Sequence, residues 1–203
     1  MKPHDDYAKL LEFKPAVAKL QELATKHGIA DIFQDNGGKL LELLLLMGLT
    51  GSPGREGNDA TDAAGQEYEL KTMNAELVSA FSTHHHMNLE IIKKYRLVKW
   101  LFGIYRNIEL VSVYLVPVDG LAEKFTEWEQ QIVAKIAERE LEGQPISMNA
   151  SSINNPKINA SMVETVGELI YGMHYSELRR TVKVKKRLVR KSKSHEGQIE
   201  LEI

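Results

Sequence analysis

The 203-residue chain contains no cysteine. That excludes a disulfide framework, cysteine-ligated zinc, an iron–sulfur cluster and thiol catalysis. No apolar run approaches the roughly 20 residues of a membrane span, and Met1-Lys2-Pro3-His4-Asp5-Asp6 lacks the apolar stretch of a signal peptide. A soluble, intracellular protein is the expectation. There is no internal repeat and no low-complexity tract. The length suits one domain, alone or with an appendage, with a core large enough to stand without a metal or a cross-link.

Charge is missing by sign in two stretches. Between Arg179 and His195 there are nine Lys or Arg and no acid, whereas residues 196–203 hold three acids and no base. The first 178 residues therefore carry 17 bases against 25 acids, and the body is acidic although the whole chain is only −2. An acidic body still binds phosphate if its carboxylates hold metal ions.

Apolar spacing and local signals give the elements. Asp5 or Asp6 caps a short helix to about Phe13, and Pro15 opens a second that stops at Gly28. A third, capped by Asp35 or Asn36, ends at Gly48. Residues 51–66, rich in Gly and Asp, read as a loop. Glu67–Met73 and Phe81–Met87 read as strands, with Asn88 opening a helix to Tyr95. Val98–Tyr105 and Ile108–Val116 form a hairpin turning at Asn107. Asp119 opens a long helix with Leu121, Phe125, Trp128, Ile132 and Ile136 on one face. A polar loop follows over 143–160, then a helix with a capping box at Ser161 and Glu164. Thr181–Val189 and Gln198–Ile203 read as a basic strand and an acidic strand of a β-hairpin, whose charges pair across it. The fold class is α/β (α+β): a mixed central sheet with helices around it.

Chemistry-bearing residues cluster in three places. On a strand, Glu67, Glu69 and Lys71 share one face while Tyr68 and Leu70 take the core face. A loop aspartate, Asp59, folding over that face brings two carboxylates and an ammonium to one point. Two carboxylates plus water suit a hard divalent cation such as Mg2+, and a lysine there orients a water or offsets transition-state charge. By itself the pattern fits an ordinary Glu–Lys pair on a solvated strand equally well.

In Ser82-Thr83-His84-His85-His86-Met87-Asn88, strand alternation puts His84 and His86 on one face and His85 on the other. Zinc would need further ligands, and hydrogen bonding to base edges is the alternative use. Asn154-Asn155-Pro156-Lys157 is either a plain turn or a carrier of asparagines that read adenine. Asp35-Asn36-Gly37-Gly38 is either a helix cap or a carboxylate for the guanine amine in the minor groove.

Taken in order, these segments resemble the PvuII restriction endonuclease family. The resemblance is carried by His27-Gly28-Ile29, Asp31 through Leu41, Pro53 through Asp59 and Ala64 through Lys71. It continues through Phe81–Asn88, Lys94-Tyr95-Arg96, Ile104-Tyr105-Arg106 and Ile153 through Ile158, spanning about residues 7–171. It implies a restriction-endonuclease-like fold and a type II enzyme. That enzyme cuts both DNA strands centrally at the palindrome CAGCTG, leaving blunt ends, with one or two Mg2+ per site.

The implied catalytic residues are Asp59, Glu69 and Lys71, supported by Glu56 and Tyr95. The implied metal ligands are Asp59, Glu69 and the carbonyl of Leu70. DNA contacts fall on Asp35, Ser82, His84, His85, His86, Asn154, Asn155 and Lys157. Residues 1–171 form the implied domain, with dimerisation helices at 5–27, the catalytic sheet at 48–116 and DNA recognition at 81–88 and 143–160. The remainder, 172–203, is a C-terminal extension. A homodimer follows from the palindrome, and a bacterial cytoplasmic setting with a cognate DNA methyltransferase as functional partner is implied.

Two departures stand out: a longer stretch between Trp128 and Asn154, and the extension itself. The competing readings are a repair or junction nuclease on the same sheet, a DNA-binding protein that does not cut, and a metal-binding structural protein.

Overall fold

The structure, a computed structural model, describes residues 6–52 and 58–181. Element order is α1 (Asp6–Lys26), α2 (Gly37–Met47), β1 (Thr50–Gly51), β2 (Ala60–Thr61), β3 (Glu67–Asn74), β4 (Ala80–Ser82), α3 (Leu89–Tyr95), β5 (Lys99–Arg106), β6 (Glu109–Val116), α4 (Ala122–Leu141), β7 (Lys157–Asn159), α5 (Ala160–Val166) and β8 (Glu168–Gly172). A sixth helical segment, α6, covers residues 175–181. The main sheet runs β1-β2-β3-β5-β6-β8, with β3 and β5 parallel and every other pair antiparallel; β4 and β7 form a second, two-stranded sheet. This is the mixed α+β architecture the sequence leads one to expect.

The two faces of the sheet carry separate cores because strand side chains alternate. Trp100, Phe102 and Ile104 of β5 face α3, α4 and α5 in a large cluster with Phe81, Tyr95, Phe125 and Trp128. Leu101 and Tyr105 face the other way, onto Leu43 and Leu44 of α2. Trp100 stacks on Phe102 with centroids 5.7 Å apart and meets Tyr95 edge-on at 4.7 Å. Residues past 171 contribute to the same core, since Tyr175 and Leu178 are buried in the larger cluster.

Several expected boundaries move, each for a local reason. Pro15 lies inside one continuous helix rather than opening a second; its fixed φ is helical, and its loss of one N–H leaves the remaining turns intact. Within 51–66, β1 and β2 pair in a short antiparallel ribbon. The long helix starts at Ala122, after a turn in which the Asp119 carbonyl accepts from the Ala122 N–H. Helix α5 starts at Ala160 with Asn159 as its cap, and no capping box forms at Ser161. The Glu164 carboxylate instead accepts from the Ser176 N–H and hydroxyl and sits 3.3 Å from His174 Nδ1, which clasps α6 to α5. Strand β8 has no counterpart among the expected elements. Thr181 is helical, and the rest of the expected C-terminal hairpin lies outside the described residues.

The hairpin β5–β6 forms as expected, with Asn107 at φ 58°, a left-handed conformation asparagine tolerates. The same property shapes the approach to α2. Asp35 and Asn36 adopt φ 49° and 63°, and Asn36 occupies the cap position without a side-chain capping bond. Gly37 follows because the chain passes too close for a side chain: a Cβ there would stand 2.4 Å from the Asp31 carbonyl oxygen. Among the described residues, no helix is long and apolar enough to cross a membrane.

Candidate active site and nucleic-acid interface

Strand register brings the acidic pair together. β2 and β3 pair as Ala60↔Tyr68 and Thr61↔Glu67. Continuing that antiparallel register by one residue puts Asp59 opposite Glu69. The turn between them is fastened by Asp62, whose carboxylate accepts from the Ala64 and Gln66 N–H groups and the Tyr68 hydroxyl. Asp59 lies in a bend immediately before β2, a loop residue that the β2–β3 hairpin carries to the strand. Its Oδ2 accepts from the Leu70 N–H at 2.8 Å, and the Ser52 N–H donates to its carbonyl.

Among the described residues, no strand pairs with β3 on the β2 side beyond Tyr68, so Glu69–Asn74 is an open edge there. Glu69 is 3% exposed, which removes the solvated-strand account of the Glu–Lys pattern. Lys71 Nζ donates to Glu69 Oε1 and lies 3.9 Å from Asp59 Oδ2. Burial raises the Glu69 carboxyl above the usual range, and the nearby Asp59 charge adds to this; Lys71 and a hydrogen bond from Tyr95 act in the opposite direction. Burial alone would lower the Lys71 ammonium, but the two carboxylates outweigh it and hold it above its ordinary value. Tyr95, whose ring is fixed against Trp100, has its hydroxyl pushed up by burial and by Glu69.

The donor chemistry fits a hard divalent cation. Two carboxylates share one edge, and Mg2+ is commonly held by one or two carboxylates together with water and substrate phosphate rather than by an all-protein cage. Among the described residues no group of three or more His, Asp or Glu side chains converges on a cation site. Lys71 offsets one of the two carboxylate charges.

The histidine run is a turn and not a strand: β4 stops at Ser82, and residues 85–86 turn before an isolated bridge at Met87. The alternation expected of His84, His85 and His86 therefore does not apply. The cause is the neighbouring segment. Met87 and Ile153 exchange two backbone hydrogen bonds, and the Asn155 N–H donates to the His84 carbonyl. Asn155 Oδ1 accepts from the Thr83 N–H, and the Thr83 hydroxyl donates to the Pro156 carbonyl. His84 Nδ1 accepts from the His86 N–H. His84 is half-buried, and burial followed by the charge of Lys71 lowers its pKa, so the turn stands beside the acidic edge.

His85, His86 and Asn154 are exposed, and the Asn154 amide has no hydrogen-bond partner among the described residues. Asn155 is half-buried, its side-chain oxygen committed to the turn. Lys157 Nζ donates to Ser82 Oγ at 2.6 Å. Asp35 is exposed ahead of α2, and Glu56 lies outside the described residues.

The longer stretch before Asn154 is anchored by Lys135 of α4, which donates to the Asn149 and Ser152 carbonyls. Sequence reasoning missed Thr83, Asp62 and Lys135, the residues that hold these segments in place. Only Asp62, an Asx-turn residue ahead of Gly65, carries a local signal that could have been read.

An acidic pair with a lysine on a strand edge thus stands next to a histidine turn strapped to an asparagine loop. A family comparison adds an independent finding. The model described as "Restriction endonuclease PvuII" matches residues 5–171. The chain belongs to the PvuII restriction endonuclease family and is a type II site-specific deoxyribonuclease acting on DNA.

Proposed function

We propose that the enzyme cleaves duplex DNA at CAGCTG, centrally and with blunt ends, using Mg2+ held by Asp59, Glu69 and the Leu70 carbonyl. The observation that carries this reading is Lys71 on the open edge of β3, its Nζ bonded to Glu69 and 3.9 Å from Asp59 Oδ2. Asp59, Glu69 and the Leu70 carbonyl would hold the cation, which would supply polarisation of the scissile phosphate and a bound water of lowered pKa. Lys71 holds a proton-bearing ammonium next to the reacting phosphate, orienting the attacking water and offsetting charge as it builds on the phosphate oxygens. Tyr95 keeps the Glu69 carboxylate aimed along the edge through its hydroxyl. Glu56 is proposed in a supporting role.

Specificity is assigned to the turn and the strapped loop. His85 with His84 or His86 takes the G·C edges, Asn154 the adenine, and Ser82, Asn155 and Lys157 sit beside them. Asp35 approaches the minor groove from the start of α2. Each well-made bidentate contact is worth about 1–3 kcal/mol against a wrong base.

A homodimer reads the two half-sites. Supporting this, the α1 stripe of Leu10, Phe13, Val17, Leu20 and Ala24 is buried only at its C-terminal end, while Leu10 and Phe13 stay 55% and 65% exposed. A bacterial cytoplasmic setting, with a methyltransferase of the same specificity protecting host DNA, completes the proposal.

The test is digestion of a sequenced plasmid with Mg2+ and mapping of the fragment ends. Blunt cuts confined to CAGCTG are expected. Discrete cuts at another palindrome would overturn the assigned target and direct attention to residues 143–157.

A further inference from the structure

Further along the same β3 edge lies a groove of about 540 Å3, bordered by Asn36 and Lys39 on one side, Ser82 and Lys157 on the other, and Thr72 and Ser79 between. It joins the two segments assigned to DNA, the start of α2 and the recognition turn, yet its middle residues have no role so far. Its charge sets it apart: in a body of net −8, the groove is lined by two lysines and, among the described residues, by no carboxylate.

Lys39 is the less explained of the two. Its ammonium stands 5.0 Å from the Tyr105 ring centroid, and it has no carboxylate partner among the described residues. Burial lowers its pKa, so keeping it charged favours an anion that enters from outside. Other polar residues here have structural duties: Asn74 Oδ1 accepts from the Glu76 and Asn107 N–H groups, and the Tyr105 hydroxyl donates to the Lys39 carbonyl, fixing the first turn of α2. At about 3.3 Å per residue, Thr72–Asn74 extend roughly 3–10 Å along the edge from Lys71. A chain seated in the groove therefore continues into the acidic site.

We propose that this groove seats the sugar–phosphate backbone of bound DNA and that Lys39 is a phosphate-contacting residue, positioning the strand without reading its sequence. The proposal rests on DNA occupying the β3 edge as described above. A phosphate contact has a signature that a structural residue lacks: each one contributes about 0.9 to the slope of log K against log salt.

The experiment measures binding of the full-length protein to a CAGCTG duplex and to a duplex altered at one base. Ca2+ replaces Mg2+, salt is varied, and K39Q and K39R are compared with wild type. For K39Q we expect about three- to tenfold weaker binding at low salt, a slope shallower by about 0.9 for each subunit's contact, an unchanged ratio between the two duplexes, and an unchanged circular dichroism spectrum. K39R should restore the slope. Weaker binding at an unchanged slope, or a changed duplex ratio, overturns the phosphate assignment while leaving the active-site reading intact. Wild-type protein that binds neither duplex removes the underlying reading and the proposal together.

Discussion

At the residue scale, the roles of Asp59, Glu69 and Lys71 separate by experiment. Asp59→Ala should lower cleavage by at least about 10²–10³-fold, the scale of losing one charge-stabilising group. Its binding to DNA in Ca2+ should stay within a few-fold of wild type. Comparable cutting by this variant would show that the acidic edge is not the reacting site. Tyr95→Phe keeps the ring packed on Trp100 and removes only the hydroxyl facing Glu69. Because a hydrogen bond to a charged group contributes about 1.5–3 kcal/mol, its loss should lower the melting temperature by several degrees and slow cleavage about 10–100-fold. Steady-state cutting rates beside thermal melts check both parts.

At the level of elements, the β2–β3 turn and the recognition turn are held by side chains whose loss is measurable. Hydrogen bonds, first from the Gln66 N–H and then from Tyr68 and the Ala64 N–H, hold the Asp62 carboxyl below the usual carboxylate range. A depressed folded-state pKa gives stability that is present above the unfolded value and lost as pH falls through the folded one. Asp62→Ala should therefore melt below wild type near pH 7, with the gap closing toward pH 2–3; a gap that stays constant with pH would show the carboxylate is not what fastens the turn. In the recognition turn, Asn155→Ala removes the acceptor for the Thr83 N–H and should cost about 1 kcal/mol in stability. Asn154→Ala should leave melting unchanged and relax discrimination at the adenine. Equal effects of the two on stability would contradict the division of labour between them.

The element scale is also where the sequence was legible only in part. Helical and alternating apolar patterns revealed α2, α3, α4, β3 and the β5–β6 hairpin, because each is set by local spacing. By pattern alone, the run between the apolar residues Phe81 and Met87 reads as a strand. What breaks that strand, Asn155 and Ile153, lies about 70 residues further on in the chain. The residues Asp59 and Glu69 were legible, but not how they meet, since register across a hairpin depends on the turn that closes it. Strand β8 and the clasp of Glu164 to Ser176 are long-range pairings of the same kind, invisible to periodicity.

At the scale of the whole molecule, the proposed homodimer turns on the α1 stripe. The exposed half of α1 should bury its leucines against a second chain, so Leu10→Glu with Phe13→Glu should convert a dimer to a monomer in sedimentation. The same variant should convert concerted double-strand cutting into slow nicking. A double variant that stays dimeric would move the interface elsewhere. Cores pack on both faces of the sheet, and the open edge of β3 is where the proposed chemistry, base contacts and lysine groove would meet.

The most direct measurement of that convergence is cleavage of a single-site CAGCTG duplex by wild type and by Lys71→Ala in Mg2+, each paired with binding to the same duplex in Ca2+. Wild type should cut both strands, and Lys71→Ala should bind the duplex with similar affinity while cutting at least about 10²-fold more slowly. A Lys71→Ala protein that cuts at the wild-type rate would contradict the account.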